Sequence, residues 1–395
     1  MHAIKDSVHD YISLGPVARD LLDTSLLQRL RHIKQLSTVR LVYPSANHTR
    51  FEHSLGVYHL ASRALDHLGI GGDRARHVRA AALCHDVGHG PYGHQTEEVI
   101  RRRTGAHHDE IGPILRGTEA AAVLRGHDLD PERVASLVRG EGELGQLVSG
   151  ELDVDRMDYL VRDAHHTGVP YGTIDVGRLV RELRYRDGRL VLAEGNVQTA
   201  ESLLLARALM NGTVYRHHVS RIAGAMLERA SERLLDAEGL GPPAEGGPGV
   251  DVATFRRMAD HDLLVALRET TPDLARRIEH RDLYKRARWD SLGSVPADVV
   301  ELDRAEIRAD AAEIAERAGV DRDEVLLDVP ARPRFKESRT RVVVDGVVQQ
   351  LTDASELVGA LRAAERAQWR LGVYAPAESV DAVGAAAASV LGLAE

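Results

Sequence analysis

Apolar residues recur at helical spacing through most of the chain. Leu21, Leu22, Leu26, Leu27, Leu30, Ile33 and Leu36 follow i, i+3, i+4 intervals, which predicts helix across residues 17–42. The pattern resumes over 51–68 (Leu55, Val57, Leu60, Leu65, Leu68) and stops at Gly69, a residue suited to a helix C-terminus. A helix over 73–86 is apolar through Ala80-Ala81-Ala82-Leu83-Cys84 and cannot continue past Gly88-His89-Gly90-Pro91. Helices follow at 95–104, 109–116, 119–125, 131–138 and 155–166, with one or two long ones over 197–236. Residues 183–193 alternate around Asp187-Gly188 and read as a hairpin. The Gly/Pro-rich stretch Gly239–Gly249 reads as a loop. Helices over 251–281 precede a change of character: strands at 325–329 and 371–374, a hairpin at 341–348 turning on Asp345-Gly346, and helices at 354–369 and 378–393. The expected fold class is mainly α, a helical core with a smaller C-terminal α+β region. The expected divisions are a core over 1–238, the loop 239–250, a helical extension 251–290 and the α+β region 291–395.

Composition narrows the setting. Of the 395 residues 43% are hydrophobic, enough for a sizeable core. A single cysteine, Cys84, excludes a disulfide framework and Cys-rich zinc modules. No uncharged apolar run approaches the roughly 18 residues of a membrane span. Met1–Asp6 lacks the apolar stretch of a secretory signal, so a cytoplasmic protein is expected. The formal charge of -9 argues against strong nucleic-acid binding. Histidine is distributed unevenly: 18 of the 20 lie at or before His218. Genome composition cannot place histidine in one half of a chain, whereas chemistry can.

Four segments gather that chemistry: Arg50–Gly56, Cys84–His94, His107–Glu110 and Asp153–His166. His85 and Asp86 end a helix too apolar to be exposed, where a charged Asp needs a partner or a metal. Imidazole with carboxylate suits divalent Mn, Fe, Ni, Co, Zn or Mg. His53 lies upstream and Asp155 downstream of this pair. The Gly88-His89-Gly90-Pro91 turn opens the backbone and brings His89 and His94 toward the same cleft. Val154, Met157, Leu160 and Val161 make one apolar helix face, so some of Asp153, Asp155, Asp158 and Asp163 fall at a buried edge.

With Gln28–Leu36 added, these segments resemble the HD-domain phosphohydrolases. Within them the likeness is to the deoxynucleoside triphosphate (dNTP) triphosphohydrolases related to the sterile alpha motif and HD-domain protein. It runs from about Ile4 to His218 and returns at Glu279–Lys285, and it includes no sterile alpha motif. The resemblance implies an HD-domain core that converts a dNTP and water to a deoxynucleoside and inorganic triphosphate. It implies His53, His85, Asp86 and Asp155 as ligands of a divalent metal. His89, His94 and His108, the last backed by Asp109, match catalytic residues facing the phosphates. Arg50 and Arg207 match phosphate contacts, and Arg156 stands where the family usually has Lys. Tyr159 and Asp163 match residues at the sugar, Gln35 and Leu36 a contact to the 3′-hydroxyl, and Tyr215 the aromatic that crowds out a 2′-hydroxyl. His165 and His166 are expected just behind this site.

The resemblance also implies a second nucleotide site at a subunit interface, a GTP or dNTP effector, and a homo-oligomer, tetramer or dimer. Asp23, Gln28 and Arg31 match its guanine contacts, and Arg281 and Lys285 its phosphate contacts. Two departures bear on that site: Lys5 stands in place of Asn, and Leu192-Ala193-Glu194-Gly195 lacks the family's basic pair. The alternatives are another HD-family nucleotide phosphohydrolase, acting on a mono-, di- or triphosphate or a modified nucleotide, and a nucleotide sensor. A cyclic dinucleotide phosphodiesterase would need Gly-Tyr-Pro, and the chain has Pro170-Tyr171-Gly172.

Overall fold

The computed structural model describes residues 2–236, 250–333 and 340–394, so the expected Gly239–Gly249 loop lies outside the described residues. Helix dominates, and the fold is mainly α as the periodicity predicts. No described helix is long and apolar enough to cross a membrane. The described residues group into two units. One takes those within 1–215, 252–263 and 336–359, the other those within 216–251, 264–335 and 360–395. Each therefore draws on several stretches of chain.

In the first unit three helices carry the candidate chemistry. Arg50–His67 starts on a capping box, with the Glu52 carboxylate accepting from the Thr49 backbone N–H and hydroxyl. That start leaves Arg50 and His53, one turn apart, on the buried face. Gly72–Cys84 packs beside it, and its Ala80, Ala81, Ala82, Leu83 and Cys84 are all buried. Val154–Thr167 is capped by the Asp153 carboxylate, which accepts from the Arg156 N–H at 2.8 Å. It ends at Gly168 with φ of 72°. Gly56 faces this helix. A Cβ there would lie 1.8 Å from Asp158 Oδ1 and 2.5 Å from Arg162 Nη2, so only glycine fits.

The described strands are β1 (His2–Asp6), β2 (Asp10–Leu14), β3 (Leu183–Arg186), β4 (Arg189–Leu192), β5 (Lys285–Ser291), β6 (Leu326–Asp328), β7 (Arg341–Val344), β8 (Val347–Gln350) and β9 (Arg370–Ala375). In the first unit β1 and β2 form an antiparallel hairpin, and a second sheet runs β3-β4-β7-β8 with β4 parallel to β7. In the second unit β9 is the centre of an antiparallel sheet, between β5 and β6. Its core joins Ile314, Val325, Trp369, Leu371, Val373 and Val383.

Several elements differ from the sequence expectation. The helix expected over 17–42 is broken into Pro16–Leu22, Ser25–Arg29 and short 3-10 turns at Leu30–His32 and Ser37–Leu41. Tertiary pairing overrides its periodicity: Gln35 N–H donates to His48 O at 3.1 Å, and Arg50 N–H to Ile33 O at 3.0 Å. The helix expected at 109–116 begins at Gly112. Strand β5 is charged (Lys-Arg-Ala-Arg-Trp-Asp-Ser) and shows no alternation; pairing with β9 makes it a strand. Helix Arg304–Ala318 buries only the narrow stripe Ile307, Ala311, Ile314 and Ala315, and rests on a capping box from Asp303 and Glu306.

Gly56→Ala is expected to destabilise the protein by about 1–3 kcal/mol, the usual cost of overpacking. Gly126→Ala, at a helix end with nothing within 4 Å of the new methyl, is expected to stay within about 0.5 kcal/mol. Urea unfolding of both variants checks the contrast.

Candidate metal centre and active site

The three helices bring His53, His85, Asp86 and Asp155 together. His53 Nε2 lies 3.2 Å from His85 Nε2, 2.9 Å from Asp155 Oδ1 and 4.0 Å from Asp86 Oδ2. His85 Nε2 lies 3.4 Å from Asp86 Oδ1 and 3.8 Å from Asp155 Oδ1. Outer partners fix both rings. His53 Nδ1 donates to Asp158 Oδ2 at 2.8 Å, and His85 Nδ1 donates to the Ala82 carbonyl at 2.9 Å. Each Nε2 then points inward, toward Asp86 and Asp155. Two imidazoles and two carboxylates converging in this way make a donor set that fits a divalent metal. Burial opposes a charge on His53, but Asp155 and Asp158 outweigh it and hold its pKa up at about 10, so a metal bound at Nε2 displaces a proton. Burial would likewise raise the Asp86 carboxyl. Arg50, donating at 2.8 Å, and nearby His85 and His89 hold it well below the usual carboxylate range.

Three further rings pack beside this cluster. His89 stacks on His108 at 4.0 Å between centroids, and His94 meets them edge-on at 4.6 and 5.1 Å. Gly88 makes this possible, because a Cβ there would sit 1.8 Å from the His108 carbonyl. Glu97, one turn into the helix His94–Thr104, accepts from His94 Nδ1 at 2.7 Å and also from His108 Nδ1. Burial would lower His108, but the Glu97 carboxylate raises its pKa above the ordinary value. His89 is the opposite case: burial, Arg50 and His108 hold it well below, so it is neutral at physiological pH. The carboxylate behind His108 is thus Glu97. The expectation that Asp109 backs it is corrected, because Glu97 on the neighbouring helix faces both rings at once.

The other expected residues divide. Tyr159 and Tyr215 stand edge to face at 6.1 Å, and the Tyr215 hydroxyl donates to Asp163 Oδ2 at 2.8 Å. Burial raises Tyr159 to about 12 and, with Asp163, Tyr215 further; Arg207 lies close enough to oppose both shifts. Tyr215 ends a π-helical turn, Asn211–Tyr215. Leu36 is buried, and Gln35 holds a buried Oε1 with no partner among the described residues. Arg50 is 2% exposed and donates to Asp86; its Nε has no partner among the described residues. Arg156 turns back on the Gly150 carbonyl at 2.7 Å and Asp153 at 3.1 Å.

A family model described as the HD domain matches residues 50–163, and one described as an HD associated region matches 174–395. An uncharacterized protein of Methanocaldococcus jannaschii is 33% identical over 392 residues, covering 96% of this chain and 80% of its own. The chain belongs to the HD-domain phosphohydrolase family. The deoxynucleoside triphosphate triphosphohydrolase SAMHD1 of Homo sapiens is 27% identical to this HD protein, over 72% of the chain and 54% of the human protein. The chain therefore spans about half the length of that relative. The crystal structure of a Bacteroides thetaiotaomicron phosphohydrolase matches with a TM-score of 0.77 and 27% identity, covering 95% of this chain and 100% of that one.

In this HD protein the residues expected at a second nucleotide site fall in both units. Asp23, Gln28 and Arg31 are in the first, where Arg31 donates to Gln28 Oε1 at 2.8 Å and lies over the Phe51 ring. Arg281 and Lys285 are exposed residues of the second unit. His165 is exposed, and His166 stacks at 4.4 Å on His48, whose Nε2 lies 2.8 Å from Asp163 Oδ1. The residue behind His53 is Asp158. Sequence reading assigned no role to Glu97, His48 or Arg29. The signal for Glu97 is its i, i+3 spacing from His94. Arg29, which donates to the His89 carbonyl at 3.0 Å, carries no local signal.

His85→Ala and Asp86→Ala are each expected to lower bound divalent metal at least about tenfold, a loss that even outer partners produce. Elemental analysis of the purified variants measures it, and full metal content in both would put the metal elsewhere. Glu97→Gln removes the charge that raises His108. A general acid works only below its pKa, so the basic limb of the kcat–pH profile is expected to move to lower pH.

Proposed function

We propose that this chain is a metal-dependent dNTP triphosphohydrolase, producing a deoxynucleoside and inorganic triphosphate. The observation that carries the reading is the adjacency of two groups: the His53, His85 and Asp86 donors with Asp155 beside both imidazoles, and the imidazole wall of His89, His94 and His108, the last two on Glu97. The activity for which the human relative is named supports the same class. A divalent cation held by the four donors would polarise the α-phosphate and acidify a water. In the reaction the water oxygen bonds the α-phosphorus, the bond to the 5′-oxygen breaks, and that oxygen takes a proton.

The chain's own residues serve each need. Glu97 engages Nδ1 of His94 and His108, leaving each Nε2 to hold a proton for the 5′-oxygen. The unpartnered Nε of Arg50, with Arg207 and Arg156, offers donors to phosphate oxygens. The unpartnered Oε1 of Gln35 offers an acceptor to a sugar hydroxyl. Asp163 holds the Tyr215 hydroxyl, which fixes the ring as a wall that a 2′-hydroxyl would strike. A GTP or dNTP effector at an interface between subunits, with Asp23, Gln28 and Arg31 for the guanine and Arg281 and Lys285 for the phosphates, and assembly into a dimer or tetramer, belong to the same reading. One observation favours the alternative of a nucleotide phosphohydrolase with a shorter phosphate chain: Arg156 is already engaged by Gly150 and Asp153.

Product analysis by chromatography, with each dNTP and NTP and Mn2+, tests the reading. Deoxynucleoside and triphosphate in equal amounts are expected, with His94→Ala slower by about 10²–10⁴-fold. Release of pyrophosphate or orthophosphate would reject it. Light scattering with and without GTP tests assembly; an unchanged monomer in both would reject the effector.

A further inference from the structure

Behind His53 lies a buried chain of charges that leads away from the metal-type donors to the N-terminal hairpin. Asp158 and Arg162 are both fully buried. The Asp158 carboxylate accepts from His53 Nδ1 at 2.8 Å and from Arg162 Nε and Nη2 at 2.9 and 3.1 Å. It also receives His9 Nε2. Arg162 uses its other edge on Asp6, donating through Nη1 and Nη2 at 2.9 and 3.2 Å. Asp6 in turn closes the β1–β2 turn, its Oδ1 accepting the backbone N–H groups of Val8 and His9 at 2.9 and 2.8 Å. The turn therefore contributes two side chains to one network, Asp6 on Arg162 and His9 on Asp158. Gly56 provides the space in which the Asp158–Arg162 pair lies against the helix that carries His53.

A buried carboxylate can point either oxygen at His53, and what fixes its orientation is the set of donors on its other side. Here those donors are Arg162 and His9. Arg162 has freedom of its own unless Asp6 fixes the far end of its guanidinium, and Asp6 supplies two oxygens for two nitrogens. We propose that the N-terminal hairpin is a built part of the metal centre. Asp6, acting through Arg162 and Asp158, is a positioning residue that sets the His53 ring and so the affinity for the divalent cation. The proposal rests on the reading of His53 as a metal ligand.

The test is titration of the metal-stripped full chain with Co2+, followed by calorimetry and by the visible absorption of the bound ion. Asp6→Asn keeps the shape and the turn-closing oxygen but removes the charge facing Arg162. It is expected to weaken Co2+ binding about ten- to hundredfold and to shift the visible band, with the far-ultraviolet circular dichroism unchanged. In a His53→Ala background Asp6→Asn is expected to add no further loss, because its effect passes through that ring. Wild-type affinity and an unchanged band in Asp6→Asn would overturn the proposal, as would an undiminished loss in the His53→Ala background. If Asp6→Asn does not fold, His9→Ala decides by the same two measurements, since it removes the turn's second donor to Asp158. Retention of wild-type Co2+ affinity by His53→Ala alone would overturn the reading beneath the proposal, and is told apart from failure of the Asp6 link by that single variant.

Discussion

The arrangement depends on one imidazole held between two carboxylates of a single helix. Asp155 and Asp158 lie one turn apart on Val154–Thr167, and His53 reaches both, Nε2 toward the first and Nδ1 toward the second. Burying Asp158 without partners would be prohibitive, and its ionised state is sustained by Arg162, His53 and His9. Once Asp158 is fixed as an acceptor, the His53 tautomer is fixed, and the inward nitrogen is committed to a cation. His85 repeats the device with a backbone carbonyl in place of a carboxylate. The helix packing serves this geometry: Gly56 admits the Asp158–Arg162 pair, and Gly88 admits the segment carrying His108.

Two electrostatic environments then stand side by side. Asp86 is kept ionised by Arg50 despite its burial, whereas His89, a few ångströms away, is kept neutral by burial and the same arginine. Glu97 reverses the sign for His108. A site that holds one imidazole neutral and raises its stacked neighbour sets a proton acceptor beside a proton donor near neutral pH.

Much of the fold was legible because periodic apolar residues report helix directly. The helices near 51–68, 119–125, 131–138 and 155–166 and the turn at Asp187-Gly188 follow from local pattern. The end of regular helix after Arg29 was not legible, because the backbone at Ile33–Gln35 pairs with residues 48–50, a partner that local periodicity does not reveal. The strand β5 was hidden for the same reason. At the site, His53, His85, Asp86 and Asp155 could be grouped from residue type and resemblance. Asp6 could not, since it acts through a hydrogen bond to Arg162, whose position only the folded chain reveals, and Glu97 offered only its i, i+3 spacing from His94. Asp109, adjacent to His108 in sequence, was the natural candidate for a role that geometry gives to Glu97.

The central claim is that His53, His85, Asp86 and Asp155 enclose one divalent cation. An anomalous difference map from crystals of the protein grown with Mn2+ tests this most directly. A single peak about 2.0–2.3 Å from both Nε2 atoms and from a carboxylate oxygen of Asp86 and of Asp155 is the predicted result. A peak elsewhere, or none at saturating Mn2+, would contradict it.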